Sequence, residues 1–339
     1  MTARHVNIPL FVVHMGCPNQ CVFCDQRLIS GTSCFTEENA EAAIRSFLAR
    51  PHPPETEAEI AFFGGSFTGI DRALMVRLLD LAQSYVGRGG IRGIRLSTRP
   101  DYIDAEILRI LSRYSIRAVE LGIQSLSDTV LTVCRRGHTS DDAVRACTLL
   151  AAAEIPFVGQ MMLGLPASTP DTEKECARRL CELGASAYRV YPTVVFQGTE
   201  LSSMTRNGCY TPLTDGEAAC RMADVMEIFA DAGVPCLRAG LCESESLHAE
   251  SSYAAGPNHP ALGELARSEL LYRRIRQSLD GRNAAGRCVT VTVARGLASC
   301  TAGQHRGNIR RMERDYGVKS VKIIENPAQI GYNITIDVS

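Results

Sequence analysis

The sequence predicts an α/β fold: a partial (β/α)6 barrel of the TIM type with a small C-terminal α+β appendage. Three observations predict it. Strand-like and helix-like segments alternate six times up to residue 233. Unusual short motifs sit at the C-terminal ends of successive strands. The rhythm then changes after residue 234. Regular alternation implies a parallel sheet with helices packed outside it, and such sheets carry their chemistry at the C-terminal strand ends.

The elements follow in order. NIPLFVVHM (7–15) is an apolar run suited to a buried strand. TEENAEAAIRSFLAR (36–50) opens on a Thr cap, has acids in its first turn and continues with helical periodicity. AEIAFFGG (58–65) is a strand ending in glycines, RALMVRLLDLAQSYV (72–86) a helix, IRGIRLS (91–97) a strand and DAEILRILSRY (104–114) a helix. IRAVELGIQS (116–125) is a strand, followed by helical stretches at 127–134 and 140–153. IPFVGQMMLGLP (155–166) is a strand ending at Gly-Leu-Pro, and TPDTEKECARRLCELG (169–184) a helix with Pro near its start. ASAYRVYPTVV (185–195) is a strand and TDGEAACRMADVMEIFADAG (214–233) a helix stopped by Gly. The predicted division is a core barrel over 1–240, a connector with a helix over 241–282 and a small basic domain over 283–339. That last part reads as a strand (287–295), one helix (299–316) and two strands (318–325, 332–338).

The 339 residues are 45% hydrophobic and 22% charged, with a net charge of −1, so no global field points to nucleic acid or membrane. No apolar run approaches the roughly 20 residues of a membrane span. The expectation is a cytoplasmic protein without a membrane partner. Fourteen cysteines are present. Without a secretion signal, disulfides are not their expected use. Cys134, Cys147, Cys176, Cys181, Cys209, Cys220, Cys288 and Cys300 are scattered singly and read as small buried hydrophobes.

Cys17, Cys21 and Cys24 stand apart, in MGCPNQCVFC (15–24) directly after the first apolar run. Three thiolates can serve zinc or an iron–sulfur cluster. Structural zinc wants four protein ligands, often in paired knuckles; here the spacing is C-x3-C-x2-C, and only Cys34 lies near enough to be a fourth. Three thiolates in one loop suit a cubane [4Fe–4S] cluster whose fourth iron stays open to a small molecule. Cys236, Cys242, His248 and His259 compose a possible second metal set, but their spacings fit no common zinc pattern.

C-x3-C-x2-C after the first strand resembles the signature of the radical S-adenosylmethionine enzymes. The resemblance implies a [4Fe–4S] cluster on Cys17, Cys21 and Cys24, with S-adenosylmethionine on the open iron and reductive cleavage to a 5′-deoxyadenosyl radical. It implies an electron donor such as a flavodoxin or ferredoxin. Phe23 takes the aromatic position near the adenine. FFGGSFTG (62–69) matches the glycine-rich motif, so Gly64, Gly65 and Ser66 are expected beside the methionine end of the cofactor. GIQS (122–125) is similar to the strand-four motif, with Gln124 toward the ribose, and GLP (164–166) to the strand-five turn near the adenine. Arg136 in RRGHT (135–139) is expected near the cofactor carboxylate, where a guanidinium fork is suited; its alternative is a loop leading to an N-cap at Thr139. No catalytic residue is assigned.

STRPDYID (97–104), VELGIQSLSDTVLTVCRRGHT (119–139), YRVYPTVVFQGTELSSM (188–204) and GCYTPLT (208–214) narrow the resemblance to the radical domain of the elongator complex catalytic subunit, which modifies the wobble uridine of tRNA, and to its compact bacterial relatives. The cysteine spacing is closer to oxygen-independent coproporphyrinogen oxidases. Ser97 stands where both relatives carry Glu, and Gln160 where the coproporphyrinogen enzyme has Asp. Both positions are expected beside the cofactor. Nothing after residue 240 resembles the acetyltransferase half of the elongator subunit. The expected function is thus radical chemistry, with tRNA modification as one direction. The alternatives are a tetrapyrrole-related enzyme and a non-catalytic iron–sulfur scaffold that binds RNA.

Residues 282–322 form a basic stretch. Arg282, Arg287, Arg295, Arg306, Arg310, Arg311, Arg314, Lys319 and Lys322 face only Glu313 and Asp315 as acids. One basic region on a neutral protein is a candidate for a polyanion such as tRNA; a solvated amphipathic helix is the alternative. GQHRGNIRRMERDYGV (303–318) places glycines at a helix start, one residue off the spacing of a KH-domain glycine loop.

Overall fold

The computed structural model describes residues 4–12, 15–17, 21–25, 35–240 and 253–339. Its first part is a seven-stranded parallel sheet in sequential order, curled into an open half-barrel: β1 (Arg4–Phe11), β2 (Thr56–Phe63), β3 (Ile91–Thr98), β4 (Ile116–Gln124), β5 (Phe157–Leu163), β6 (Ala187–Pro192) and, last, β8 (Cys236–Ala239). The helices between them are α1 (Glu37–Leu48), α2 (Arg72–Tyr85), α3 (Ala105–Leu111), α4 (Asp128–Val133), α5 (Ser140–Ala152), α6 (Pro170–Glu182), α7 (Glu200–Arg206) and α8 (Asp215–Asp231). A two-residue strand, β7 (Val195–Phe196), pairs with β9 (Tyr253–Ala255). Among the described residues no helix is long and apolar enough to cross a membrane.

The alternation read from the sequence recurs, with three differences. The first strand stops at Phe11, where the chain leaves the sheet to form the cysteine loop. β8 extends the six-unit count to seven; at four residues it is too short to show a period. α7 was not expected, because its seven residues carry only two buried positions, Leu201 and Ser202.

Local chemistry sets the helix starts. Thr139, Thr169 and Thr214 each form a capping box with the residue three positions on. Strand alternation then sorts side chains into two layers. In β4, Val119, Leu121 and Ile123 are fully buried against the helices. Glu120, Gly122 and Gln124 point the other way, into the barrel.

The C-terminal part has its own core around Tyr272, Ile275, Leu279, Val289, Val291, Val293, Ile309 and Met312. It is built from α9 (Leu262–Leu279), β10 (Cys288–Val293), α10 (Ala298–Ala302), α11 (Gly307–Tyr316), β11 (Ser320–Glu325) and β12 (Thr335–Val338). α9 serves both cores: Leu262, Ala266 and Leu270 pack on the barrel, while Tyr272, Ile275 and Leu279 belong to the second core. Arg274 bridges α9 to Glu227 and Asp231 of α8. The helix expected over 299–316 is broken in two, because Gly303, His305 and Arg306 all adopt left-handed φ (75°, 52° and 61°).

Of the cysteines expected to be buried, Cys134, Cys147 and Cys176 are, Cys181 and Cys300 are half-buried, and Cys209, Cys220 and Cys288 are exposed. A thiol is small enough to be tolerated on an outer face, so isolation in sequence did not discriminate burial.

Candidate active site

The cysteine loop lies on the rim beyond β1 and is pressed against the turn after β2. A Cβ on Gly16 would stand 2.3 Å from the Ser66 carbonyl oxygen. One on Gly65 would stand 2.7 Å from the Val12 carbonyl and 2.8 Å from that of Met15. Two backbones touch here, which only glycine permits. Gly64 supplies the turn itself, with φ of 88°. The paired glycines therefore have a reason beyond approach to a ligand: they seat the cysteine loop.

Three backbone hydrogen bonds fix the second half of that loop. Val22 N–H donates to the Cys134 carbonyl (3.2 Å), Leu201 N–H to the Val22 carbonyl (2.8 Å) and Cys24 N–H to the Cys21 carbonyl (3.0 Å). Phe23 is buried with Val130, Cys134, Leu165 and Leu201. The Gly164–Pro166 turn beside it lines a cavity of about 240 Å³ with Tyr210 and Arg221.

Two buried guanidiniums accompany the thiols. Arg136 donates to Cys21 Sγ at 3.4 Å and to the Gly122 carbonyl. Arg99 donates to the Arg136 carbonyl at 2.6 Å and holds Asp101 in a fork of two 3.0 Å bonds. Burial pushes the Cys24 thiol up to about 12, and Cys21, Cys17 and Asp25 add to the rise while Arg136 opposes it. The thiols therefore share a space in which bare thiolates repel one another and cations would relieve them. Among the described residues no three His, Cys, Asp or Glu side chains converge on a point for a single metal ion. In a cubane each thiolate meets a different iron, so convergence on one point is not required.

Buried polar atoms without partners gather next to these groups: Gln124 Oε1, Arg136 Nε and both ring nitrogens of His138. Buried polar groups are normally satisfied, so each exception needs a reason. Gln124 is also a non-glycine residue at φ of 67°, at a bulge between β4 and β5. Such outliers cost about 1–3 kcal/mol and cluster at ligand sites. A Cβ on Gly122 would meet Arg136 Nη2 at 3.1 Å and Gln124 Nε2 at 3.3 Å, so the two side chains flank Gly122. Burial, with Arg136 and Arg99 nearby, lowers His138 to about 4 and keeps its ring neutral.

A model of the Radical SAM superfamily matches residues 11–180, and one of the Radical_SAM C-terminal domain matches 185–272. The chain belongs to the radical SAM superfamily. Its members use a [4Fe–4S] cluster and S-adenosylmethionine, and this chain is a radical SAM enzyme. An uncharacterized protein of Methanocaldococcus jannaschii is 27% identical over 226 residues, 63% of this chain and 69% of that protein. A tRNA uridine(34) acetyltransferase of Dehalococcoides mccartyi is 26% identical over 247 residues, 62% of this chain and 53% of that enzyme. The chain thus spans about half the length of this acetyltransferase. Among solved structures, the Elp3 of Methanocaldococcus infernus superposes with a TM-score of 0.60 at 19% identity, covering 83% of this chain and 65% of that one, which shows the shared fold.

The residues present fit the superfamily's cofactors. Three thiols lie in one loop, a guanidinium touches one of them, and orphaned acceptors and donors line the adjoining wall. Of the residues expected at the site, Cys17, Cys21, Cys24, Phe23, Gly64, Gly65, Ser66, Gln124 and Arg136 lie on one rim. Ser97 and Gln160 are one layer deeper, around Glu120. Ser97 is in register with Glu120 across β3 and β4, and the Gln160 amide donates to the Glu120 carboxylate at 2.8 Å.

Glu120 anchors a charged layer that the sequence reading missed. It is 1% exposed and accepts from Arg189 (2.9 Å, twice) and Arg95 (3.3 Å), and Arg95 also donates to Glu59 at 2.6 Å. Its signal was present as charged residues inside four largely apolar strands, Glu59, Arg95, Glu120 and Arg189. Only the sheet register shows that these charges meet. Arg99 was likewise quoted in a motif but given no role.

Of the possible second metal set, Cys242 and His248 lie outside the described residues, as does Cys34. The thiol of Cys236 meets the Tyr188 hydroxyl, and His259 Nδ1 accepts from the Ala261 N–H at 3.1 Å.

Proposed function

We propose that Cys17, Cys21 and Cys24 each bind one iron of the cluster, that Gly64, Gly65, Ser66, Gln124 and Arg136 hold S-adenosylmethionine beside it with Phe23, Ser97 and Gln160, and that the substrate is tRNA. The observation that carries the site is Gln124: a strained backbone and an unpartnered buried oxygen, next to a thiol-bound arginine. When bound, the cluster supplies the electron that cleaves S-adenosylmethionine to methionine and a 5′-deoxyadenosyl radical. The chain's own residues prepare that step. Arg136 donates to Cys21 Sγ and retains an unpartnered Nε–H for a carboxylate. Gln124 Oε1 accepts from a hydroxyl. Glu120 accepts from Gln160 Nε2 and so fixes the Gln160 amide, at the position where the coproporphyrinogen oxidases carry Asp. Phe23, Val130 and Leu165 keep the rim dry. A reduced flavodoxin or ferredoxin supplies the electron, in the cytoplasm.

The tRNA reading is supported by relatives named as tRNA uridine(34) acetyltransferases and by the exposed cations of the C-terminal part. The proposed division is a barrel over 1–240, a connector over 241–282 whose helix α9 packs into both cores, and a basic domain over 283–339.

Gln124→Ala tests the site. Losing one buried hydrogen bond of about 1–3 kcal/mol weakens S-adenosylmethionine binding by roughly tenfold or more. Calorimetric titration of the reconstituted protein reads this while cluster absorbance stays unchanged. An unaltered Kd would remove Gln124 from the binding site.

A further inference from the structure

We propose that the C-terminal domain is a KH-like clamp for the backbone of single-stranded RNA, with the segment Gly303–Gly307 as its jaw. This rests on the reading of an RNA substrate, and it deepens that reading by naming the surface and the form of RNA. Its first support is topology. β10, α10, α11 and β11 follow one another, with β10 parallel to β11 and antiparallel to β12. The loop between the two helices is therefore mounted on a three-stranded sheet. KH modules use such a loop, of the pattern G-x-x-G, to clamp four backbone nucleotides.

The second support is the conformation of that loop, which resolves the one-residue mismatch seen in the sequence. Counted from Gly303, the fourth position is Arg306, not Gly307. Arg306 holds the left-handed φ of 61° that favours glycine, whereas Gly307 has an ordinary helical φ of −58°. Arg306 thus replaces the second glycine and adds a positive charge at the jaw.

The third support is charge without internal partners. Arg311 is tied to Glu269 at 2.8 Å and lies over the Tyr272 ring, and Arg314 pairs with Asp315 at 2.7 Å. His305, Arg306 and Arg310 are exposed, and among the described residues none forms an ion pair. Arg306 and Arg310 are four residues apart, on the side of α11 away from buried Ile309 and Met312. The loop is also held in place. Asn308 is buried and donates to the Ser268 carbonyl and hydroxyl at 3.0 Å each, anchoring the jaw to α9. β11 is an edge strand beside both helices, so its outer backbone groups are within reach of bases.

The test is fluorescence anisotropy of the full chain, cluster loaded, with a labelled single-stranded RNA of about ten nucleotides, a duplex RNA of equal length and bulk tRNA, between about 50 and 200 mM salt. The inference expects the single strand to bind better than the duplex. Gln304→Asp combined with His305→Asp weakens binding by at least about tenfold, since two negative charges then face the phosphates. Arg306→Gly keeps the backbone conformation and removes only the charge, so it lowers the log–log salt slope by about 0.7 without lowering Tm. If the wild type binds tRNA and the double-Asp variant, with unchanged Tm, binds it equally well, the clamp is wrong and the tRNA reading stands. Equal affinity for duplex and single strand also overturns the clamp, leaving a general polyanion surface. If the wild type forms 5′-deoxyadenosine yet binds no RNA at all, the tRNA reading fails and the clamp with it.

Discussion

Glu120→Ala removes about 3–5 kcal/mol of folding stability, read by equilibrium urea unfolding of the cluster-free chain, because it leaves the buried guanidiniums of Arg95 and Arg189 without their shared carboxylate. The size follows from burial: Glu120 is 1% exposed, Arg95 10% and Arg189 14% at the side chain, so water cannot replace the lost partner. Glu120→Gln keeps the shape and one acceptor and costs less. The same substitution frees the Gln160 amide to rotate, so any protein that still folds also binds S-adenosylmethionine more weakly. A loss below about 1 kcal/mol would mean that the charged layer is solvated and does not organise the barrel floor.

Cys21→Ala is expected to abolish the cluster. Iron bound after anaerobic reconstitution falls to roughly a tenth of the wild-type content or less, because a site that has lost one of three thiolates cannot hold a cubane. The fold is expected to survive, since Cys21 packs only in the small rim cluster with Val22, Phe23 and Val130. Cys134→Ala is the matching control. Cys134 is fully buried in the same cluster, yet it meets the loop through its carbonyl, which the variant retains. It should keep full iron. Brown colour and full iron in Cys21→Ala, or their loss in Cys134→Ala alone, would overturn the ligand assignment.

Much of this was legible in the sequence for physical reasons. Buried parallel strands are continuous apolar runs, and Thr caps with acids in the first turn mark helix starts, so the barrel could be laid out element by element. The cysteine loop was legible because three thiols in eight positions have few other uses. Four things were not. β8 has only four residues, too few to show a period. The role of Gly16 and Gly65 depends on two loops that are fifty residues apart in sequence meeting in space. The layer of Glu59, Arg95, Glu120 and Arg189 depends on register, since each charge alone looks like a lapse in an apolar strand. The break at Gly303–Arg306 depends on an arginine taking a glycine's conformation, which composition does not reveal.

Cleavage of S-adenosylmethionine at a cluster held by Cys17, Cys21 and Cys24 is the reaction expected of this chain. The most direct measurement is 5′-deoxyadenosine by mass spectrometry after anaerobic reconstitution, with S-adenosylmethionine, dithionite and bulk tRNA. The predicted result is 5′-deoxyadenosine from the wild type and none from any of the three Cys→Ala variants. A wild type with a full cluster that yields none, or a Cys21→Ala variant that yields as much as the wild type, would contradict it.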